Sequence, residues 1–314
     1  MQKNTPTLIL LVGPTAIGKT NIAIELALWL GTEIISTDSR QFYKEMNIGT
    51  AKPSSAEQAL VTHHLVDFLS VLDSYDVKQF EQDALQSLYK IFQQKAVALA
   101  TGGSGLYVKT LCEGIDEMPD IPEDIRNQLQ LKLENEGLQS LIDKLKKVDL
   151  HYFEQVDLYN HRRILRALEV YHATGKPYSS FRNKKPKQED RPFQILKIGL
   201  SRNREELYQR INTRVDQMIG QGLFDEVKAL YPHRKANALQ TVGYQEVFPY
   251  LEGAYDEREA IRLIKRNTRR FAKRQATWFR KDSEIQWFDL SGREALAMNE
   301  MKEYLTQRLN NRAQ

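Results

Sequence analysis

The chain has almost no cysteine and no long apolar run. Its single cysteine, Cys112, has no partner for an internal disulfide. No Cys/His cluster has the spacing of a structural zinc site, so a reducing, cytoplasmic setting is expected. The first apolar run, 8–12, follows Thr5-Pro6 and is too short for a signal-peptide core or a membrane span. No targeting segment, internal repeat or low-complexity tract is visible. The 314 residues, 41% of them hydrophobic, are enough for one large domain or two ordinary ones. The net charge of +4 is modest, but basic residues crowd towards the C-terminus.

Short apolar strands alternate with helical periodicity in the first third of the chain. Residues 7–12 read as a buried strand, and 21–30 as a helix with Ile22, Leu26 and Trp29/Leu30 inside. Residues 33–36 and 96–100 read as further strands with a helix at 77–92 between them. The alternation predicts an α/β fold with a doubly wound parallel sheet, and the glycine-bearing turn 13–20 after its first strand makes it P-loop NTPase-like. After Gly114 the pattern changes: Pro119 and Pro122 open a helical block carried by Ile125, Leu129, Leu133, Leu141, Leu145, Ile164, Leu168 and Tyr171. A charged loop, 183–192, closes it, and 193–200 returns as a strand. The expected organisation is a catalytic core of 1–118 and 190–314, with 119–189 inserted. The helix at 205–219 has a capping-box-like start at Asn203 and Glu206, glycines 220 and 222 at its end, and a buried stripe of Leu207, Ile211, Val215 and Met218.

Gly13-Pro14-Thr15-Ala16-Ile17-Gly18-Lys19-Thr20 has the G-x-x-x-x-G-K-[ST] spacing of a phosphate loop. Its glycines let backbone N–H groups turn towards phosphate oxygens at a helix N-terminus. Lys19 adds charge, and Thr20 is a candidate Mg2+ ligand. An ATPase also needs a carboxylate at the end of a neighbouring strand, but 96–100 ends in Thr101-Gly102-Gly103. Asp67 reads as a solvated loop residue. Asp38 follows strand 33–36 and is placed by the wrap at the C-terminal sheet edge, either as a proton acceptor or as a turn cap with Ser39. Arg210 and Arg214, one helical turn apart, either face the phosphate site or sit on a solvated face with Glu206 and Asp216. The pair His63-His64 is read as structural.

The run Asp38-Ser39-Arg40-Gln41-Phe42-Tyr43, followed by Met46-Asn47-Ile48-Gly49-Thr50-Ala51-Lys52-Pro53, resembles the signature of tRNA dimethylallyltransferases. Gly102-Gly103-Ser104-Gly105-Leu106-Tyr107, the run from Arg163 to Val170, Val242-Gly243-Tyr244, and Arg274-Gln275-Ala276-Thr277-Trp278-Phe279 extend it along nearly the whole chain. Ser104 stands where the family more often has Thr, and His161 where it usually has Pro. The resemblance implies transfer of a dimethylallyl group from dimethylallyl diphosphate to the N6 amine of tRNA adenosine 37, beside the anticodon. On that resemblance the loop from Gly13 to Thr20 holds diphosphate rather than ATP, with Mg2+, Arg214 and Arg210. Asp38 takes the base role, and Lys19 and Arg214 support the departing charge.

The resemblance also assigns contacts to the tRNA anticodon stem-loop. These are Asp38, Ser39, Arg40, Gln41, Ser104 and Arg126, then Arg162, Arg163, Ile164, Leu165 and Arg166, and finally Gln240, Thr241, Val242, Gly243, Tyr244 and Gln245. Independently, 260–281 holds nine basic residues and no acidic one. A solvated helix packed through Ile264, Phe271 and Trp278 accounts for the inner stripe but not for the missing acids, whereas RNA phosphate contact does. The target base must leave the anticodon-loop stack to be reached. A monomer with no membrane partner is expected. Two other readings stand beside this one: a P-loop small-molecule kinase, and a non-catalytic RNA-binding P-loop protein.

Overall fold

A computed structural model describes residues 5–182 and 191–311; the expected loop 183–192 lies, up to residue 190, outside them. The described residues divide into two compact units, one within Met1–Glu113 and Asp190–Gln314, the other within Gly114–Glu189.

The larger unit is built on six parallel strands: β1 (Thr7–Val12), β2 (Ile34–Ser36), β3 (His63–His64), β4 (Val97–Gly102), β5 (Gln194–Ser201) and β6 (Gln286–Asp289), in the order β3-β2-β4-β1-β5-β6. Strand β1 is buried at every position, as expected where helices cover both faces of a parallel sheet. Its side chains alternate: Leu8, Leu10 and Val12 enter one core cluster, Ile9 and Leu11 the other. On the first face pack α3 (Val77–Phe92), α4 (Gly105–Glu113), α9 (Leu223–Leu230) and α10 (Val247–Leu251); on the second, α1 (Lys19–Leu30) and α12 (Glu294–Asn310); α8 (Arg204–Gly220) reaches the first through Val215 and the second through Leu207 and Ile211. The short α2 (Ser55–Leu60) starts with a complete capping box from Ser54 and Glu57. Helix α11 (Glu257–Phe279) contributes to both clusters through Ile264, Phe279 and Ala272.

Register decides where chemistry can sit. Val12 of β1 pairs with Gly102 of β4 and Gly199 of β5, and Ser36 of β2 pairs with Thr101 of β4. The carboxyl ends of these strands therefore share one edge, and the segments leaving them converge there.

The second unit contains α5 (Glu123–Val148), α6 (Leu150–Phe153) and α7 (His161–Thr174). Helix α5 is broken at Gly137, whose φ is 77°. Leu129, Leu141, Leu145, Tyr152, Ile164 and Leu168 form its core. Asn160 caps α7 by accepting from the Arg163 N–H, so His161 takes the first helical position without cost to the cap. No helix among the described residues is long and apolar enough to cross a membrane.

Two sequence expectations are corrected by packing. Trp29 was read into the inner stripe of α1 but is 42% exposed; Ile22, Ala23, Leu26 and Ala27 fill that stripe. In α11 the inner residues are Ala260, Ile264, Ala272, Gln275 and Phe279, while Trp278 is 40% exposed. The helix packs on α4, α8 and α10 with alanines at its inner positions, and Trp278 lies outside that stripe with its indole against Gly105.

Candidate active site

At the shared strand edge the larger unit holds a cavity of about 990 Å³. The loop after β1 supplies Thr15, Ala16, Gly18, Lys19 and Thr20 to its wall, and the segment after β2 supplies Asp38 and Gln41. Helix α8 presents Glu206, Arg210, Thr213, Arg214, Gln217 and Met218, and α11 presents Phe271 and Gln275. The α8 residues recur every three or four positions, on the side away from buried Leu207, Ile211 and Val215.

The phosphate-loop residues do not contribute equally. Ile17 is fully buried in the core, where its side chain packs under the loop; Gly13 and Pro14 are buried beneath Lys19. The carbonyls of Gly13 and Pro14 accept from Lys19 Nζ at 3.0 and 2.8 Å. These three therefore shape the loop, and the wall residues are left to meet an anion. Burial pushes the Lys19 ammonium down to about 8; Asp38 opposes the shift and Arg214 adds to it. Burial likewise holds the Arg214 guanidinium below its ordinary value, with Asp38 opposing and Arg210 adding. Two desolvated cations and one carboxylate thus feel each other inside one cavity.

Neither Glu206 nor Asp216 pairs with Arg210 or Arg214 as a solvated face would require: Glu206 meets Arg202 and Asp216 meets Lys265. Arg210 Nε donates to the Ala16 carbonyl at 3.0 Å, and Arg202 Nε to that of Ile17 at 3.1 Å. Ala16 has a φ of 62°, a left-handed conformation that costs energy outside glycine and is sustained by surrounding contacts. The two arginines supply those contacts.

Asp38 both caps a turn and lines the cavity. Its carboxylate accepts from the Arg40 N–H at 2.9 Å, and one turn contact leaves other lone pairs for a substrate. The Ser104 hydroxyl accepts from the Ser39 N–H at 3.0 Å and donates to the Ser39 hydroxyl, so the serine meets the need a threonine would. Gln41 donates to the carbonyls of Thr50 and Ala51. Asp67 lines the cavity, contrary to its reading as a solvated loop residue, and is ion-paired with Lys52.

Three important side chains carry no sequence signal of the contacts they make. Gln275, buried in the basic helix, accepts from the Thr15 N–H at 2.8 Å and donates to the Gly103 carbonyl at 2.9 Å. It clasps the phosphate loop to the turn after β4. A Cβ at Gly103 would stand 2.2 Å from Gln275 Nε2, which explains a glycine there. Arg202 and Glu226 are the others; a helical projection through Ile264, Ala272 and Phe279 would have placed only Gln275 inside.

Residues assigned to RNA contact divide by exposure. Tyr244 is fully buried, and Ile164 and Leu165 belong to the core of the second unit, so their side chains are corrected to structural roles. Arg162, Arg163 and Arg126 are exposed on that unit, and Arg166 pairs with Glu169. Gln240, Thr241, Val242 and Gln245 remain at least partly exposed, while Gly243 is buried. Along α11, Arg262 pairs with Glu259 and Lys265 with Asp216. Arg270, Lys273, Arg274, Arg280 and Lys281 are exposed, with no ion pair among the described residues. His64 bonds Glu33 at 2.6 Å, and no group of three or more potential metal ligands of the His, Cys, Asp and Glu types occurs among the described residues.

Residues 41–282 match the family model for IPP transferase. The chain belongs to the IPP transferase family. It is 50% identical to a tRNA dimethylallyltransferase of Christiangramia forsetii over 90% of this chain and 93% of that protein. The crystal structure of the full-length tRNA isopentenylpyrophosphate transferase from Bacillus halodurans matches with a TM-score of 0.73 at 37% identity, covering 99% of this chain and 98% of that one. A eukaryotic dimethylallyltransferase, solved in crystallographic snapshots acting on tRNA, matches with a TM-score of 0.75 at 26% identity over 91% of this chain and 74% of its own.

Proposed function

We propose that the chain transfers a dimethylallyl group from dimethylallyl diphosphate to the N6 amine of adenosine 37 in the tRNA anticodon stem-loop, releasing diphosphate. It does so as a cytoplasmic monomer. The observation that carries the reading is one cavity wall shared by Lys19, Arg214 and Asp38. An exocyclic adenine amine is a weak nucleophile, so both ends of the reaction need help. N6 forms a bond to the allylic C1 of the donor as the C1–O bond breaks. The amine proton passes to the Asp38 carboxylate, and the electron pair leaves with diphosphate. Backbone donors of the phosphate loop, Lys19 and Arg214 absorb that developing charge, and Arg210 lies beside them.

The residues fit Mg2+ in the manner typical of phosphate sites, where the ion keeps water and substrate oxygens and takes few protein ligands. The Thr20 hydroxyl at the cavity wall would hold it. Mg2+ there would neutralise diphosphate charge. The exposed cations of α11, the partly exposed residues of 240–245, Ser39, Arg40 and Ser104, and the exposed arginines of the second unit receive the RNA backbone and loop.

The test supplies purified protein with dimethylallyl diphosphate, Mg2+ and unmodified tRNA, then digests the RNA for mass spectrometry. An adenosine heavier by one five-carbon prenyl unit at position 37 is expected. ATP-dependent phosphorylation of a small molecule, without prenylation, would overturn the assignment.

A further inference from the structure

One carboxylate outside the catalytic group is unusually heavily engaged. Glu226, on α9, accepts from three consecutive backbone N–H groups, those of Asn47, Ile48 and Gly49, at 3.0, 2.7 and 3.0 Å. It also accepts from the Tyr244 hydroxyl at 2.6 Å. Charge-assisted bonds of this kind are stronger than neutral ones. Burial, with Glu226 next, raises the phenol well above its ordinary value, so it remains a donor.

The strap held by Glu226 is a wall of the cavity: Asn47, Ile48, Thr50, Ala51 and Lys52 all line it. Ala51 is left-handed, with φ 46°, and the Gln41 side chain, three residues from Asp38, bonds the carbonyls of Thr50 and Ala51. At Gly49 a Cβ would stand 2.5 Å from the Tyr244 ring, so strap and tyrosine are in close contact. Tyr244 itself lies in the turn assigned to RNA contact. Glu246 accepts from the Gly243 N–H there at 2.8 Å and from Asn267 of the basic helix at 2.7 Å. A continuous set of bonds therefore runs from the basic helix through the turn to the cavity wall.

We infer that Glu226 and Tyr244 form a latch joining the RNA-contacting turn to the strap 47–52, which makes Glu226 a positioning residue for prenyl transfer. It touches neither substrate; it fixes the wall that sets adenine amine and prenyl chain against Asp38. The bonds described for Glu226 go to the strap and to Tyr244, not to the phosphate loop that would hold diphosphate. This inference rests on the function proposed above.

The experiment is a double-mutant cycle on single-turnover transfer at saturating tRNA and donor, using Tyr244→Phe, Glu226→Ala and the double variant, with Glu226→Gln as the conservative replacement. Tyr244→Phe removes one hydroxyl and keeps the buried ring, so it reports on the latch even if Glu226→Ala folds poorly. Each single variant is expected to slow transfer by about tenfold, with the double variant no slower than Glu226→Ala. Glu226→Gln, which keeps an accepting oxygen, should recover part of the loss. Affinity for inorganic diphosphate at pH 7.5 should stay within about twofold of the parent. Unchanged rates, independent multiplicative losses, or an equal loss of diphosphate affinity would overturn the latch. Absence of prenylation by the unsubstituted protein would instead overturn the functional assignment.

Discussion

Affinity for dimethylallyl diphosphate should fall as pH rises through about 8, because burial lowers Lys19 to about 8 in the free protein. A bound diphosphate favours the charged lysine, so above that pH each binding event must take up a proton. With the free group at about 8, some three-quarters of molecules carry the ammonium at pH 7.5 and about one in eleven at pH 9. Affinity should therefore drop about eightfold between these values. Isothermal titration in two buffers of different ionisation enthalpy, without tRNA, gives both the affinity and the proton uptake. Lys19→Met should bind weakly and lose the pH dependence. The sign differs for the ligand-free fold. The unfolded chain holds the lysine proton up to 10.5, so this group makes the empty protein more stable as pH rises from about 8 towards 10.5. Unchanged affinity of the parent protein from pH 7.5 to 9, or the same fall in Lys19→Met, would refute the reasoning.

Asp38→Asn should lower kcat by about a hundredfold to ten-thousandfold while tRNA affinity in a filter-binding assay stays near the parent value, since the proton is accepted only in the transition state. Gln275→Ala leaves the Thr15 N–H and Gly103 carbonyl without their partner; it should cost about 2 kcal/mol or more in denaturant unfolding and weaken diphosphate binding. Replacing Lys273 or Arg270 by Ala should reduce the slope of log affinity for tRNA against log salt by about 0.7 to 0.9 per cation. Arg262→Ala, at a residue already paired with Glu259, should leave that slope nearly unchanged.

How much was legible depends on whether a signal was local. The phosphate loop and helix 77–92 announce themselves through adjacent residues, and β1 and α3 begin and end where the periodicity places them. The stripe of α8 was legible for the same reason through Leu207, Ile211 and Val215, and with it the shared edge of Arg210 and Arg214, but Met218, expected inside, lies on the cavity wall. What the sequence hides is pairing at a distance. Gln275 meets Thr15 across 260 positions, and Glu226 meets Asn47 across 179. A buried polar residue in a helix gives no hint of its partner, because the bond is made only after both elements dock on the sheet. The phase of α11 was misread because aromatic size outweighed alanine; close helix packing favours the small residue. Tyr244 was assigned to RNA from its motif, although its hydroxyl and ring are consumed by Glu226 and Gly49.

The buried cations explain why a phosphate loop can serve alkyl transfer. Breaking an allylic C–O bond places new charge on the leaving diphosphate, and stabilising it requires donors already desolvated and aimed before reaction. Lys19 and Arg214 bear that desolvation in the free protein, as their lowered proton affinities register. Their discomfort is relieved when an anion arrives, so the cost of burial becomes selectivity for a diphosphate over a neutral group. A phosphoryl-transfer enzyme would set a metal-binding carboxylate at the end of β4, and that acid would offset the cations. Here that strand ends in Thr101 and Gly102, and the Gly103 carbonyl is bound to Gln275. The acid that the cations feel is Asp38, from the segment after β2, and in the proposed reaction it would meet the nucleophile rather than a metal. Gln275 belongs to the same helix that carries the exposed arginines and lysines, so the proposed diphosphate cradle and the proposed RNA-facing surface would be parts of one framework. In the proposed reaction an adenine amine brought by RNA would then meet an allylic carbon held by its diphosphate, without either loop having to search for the other.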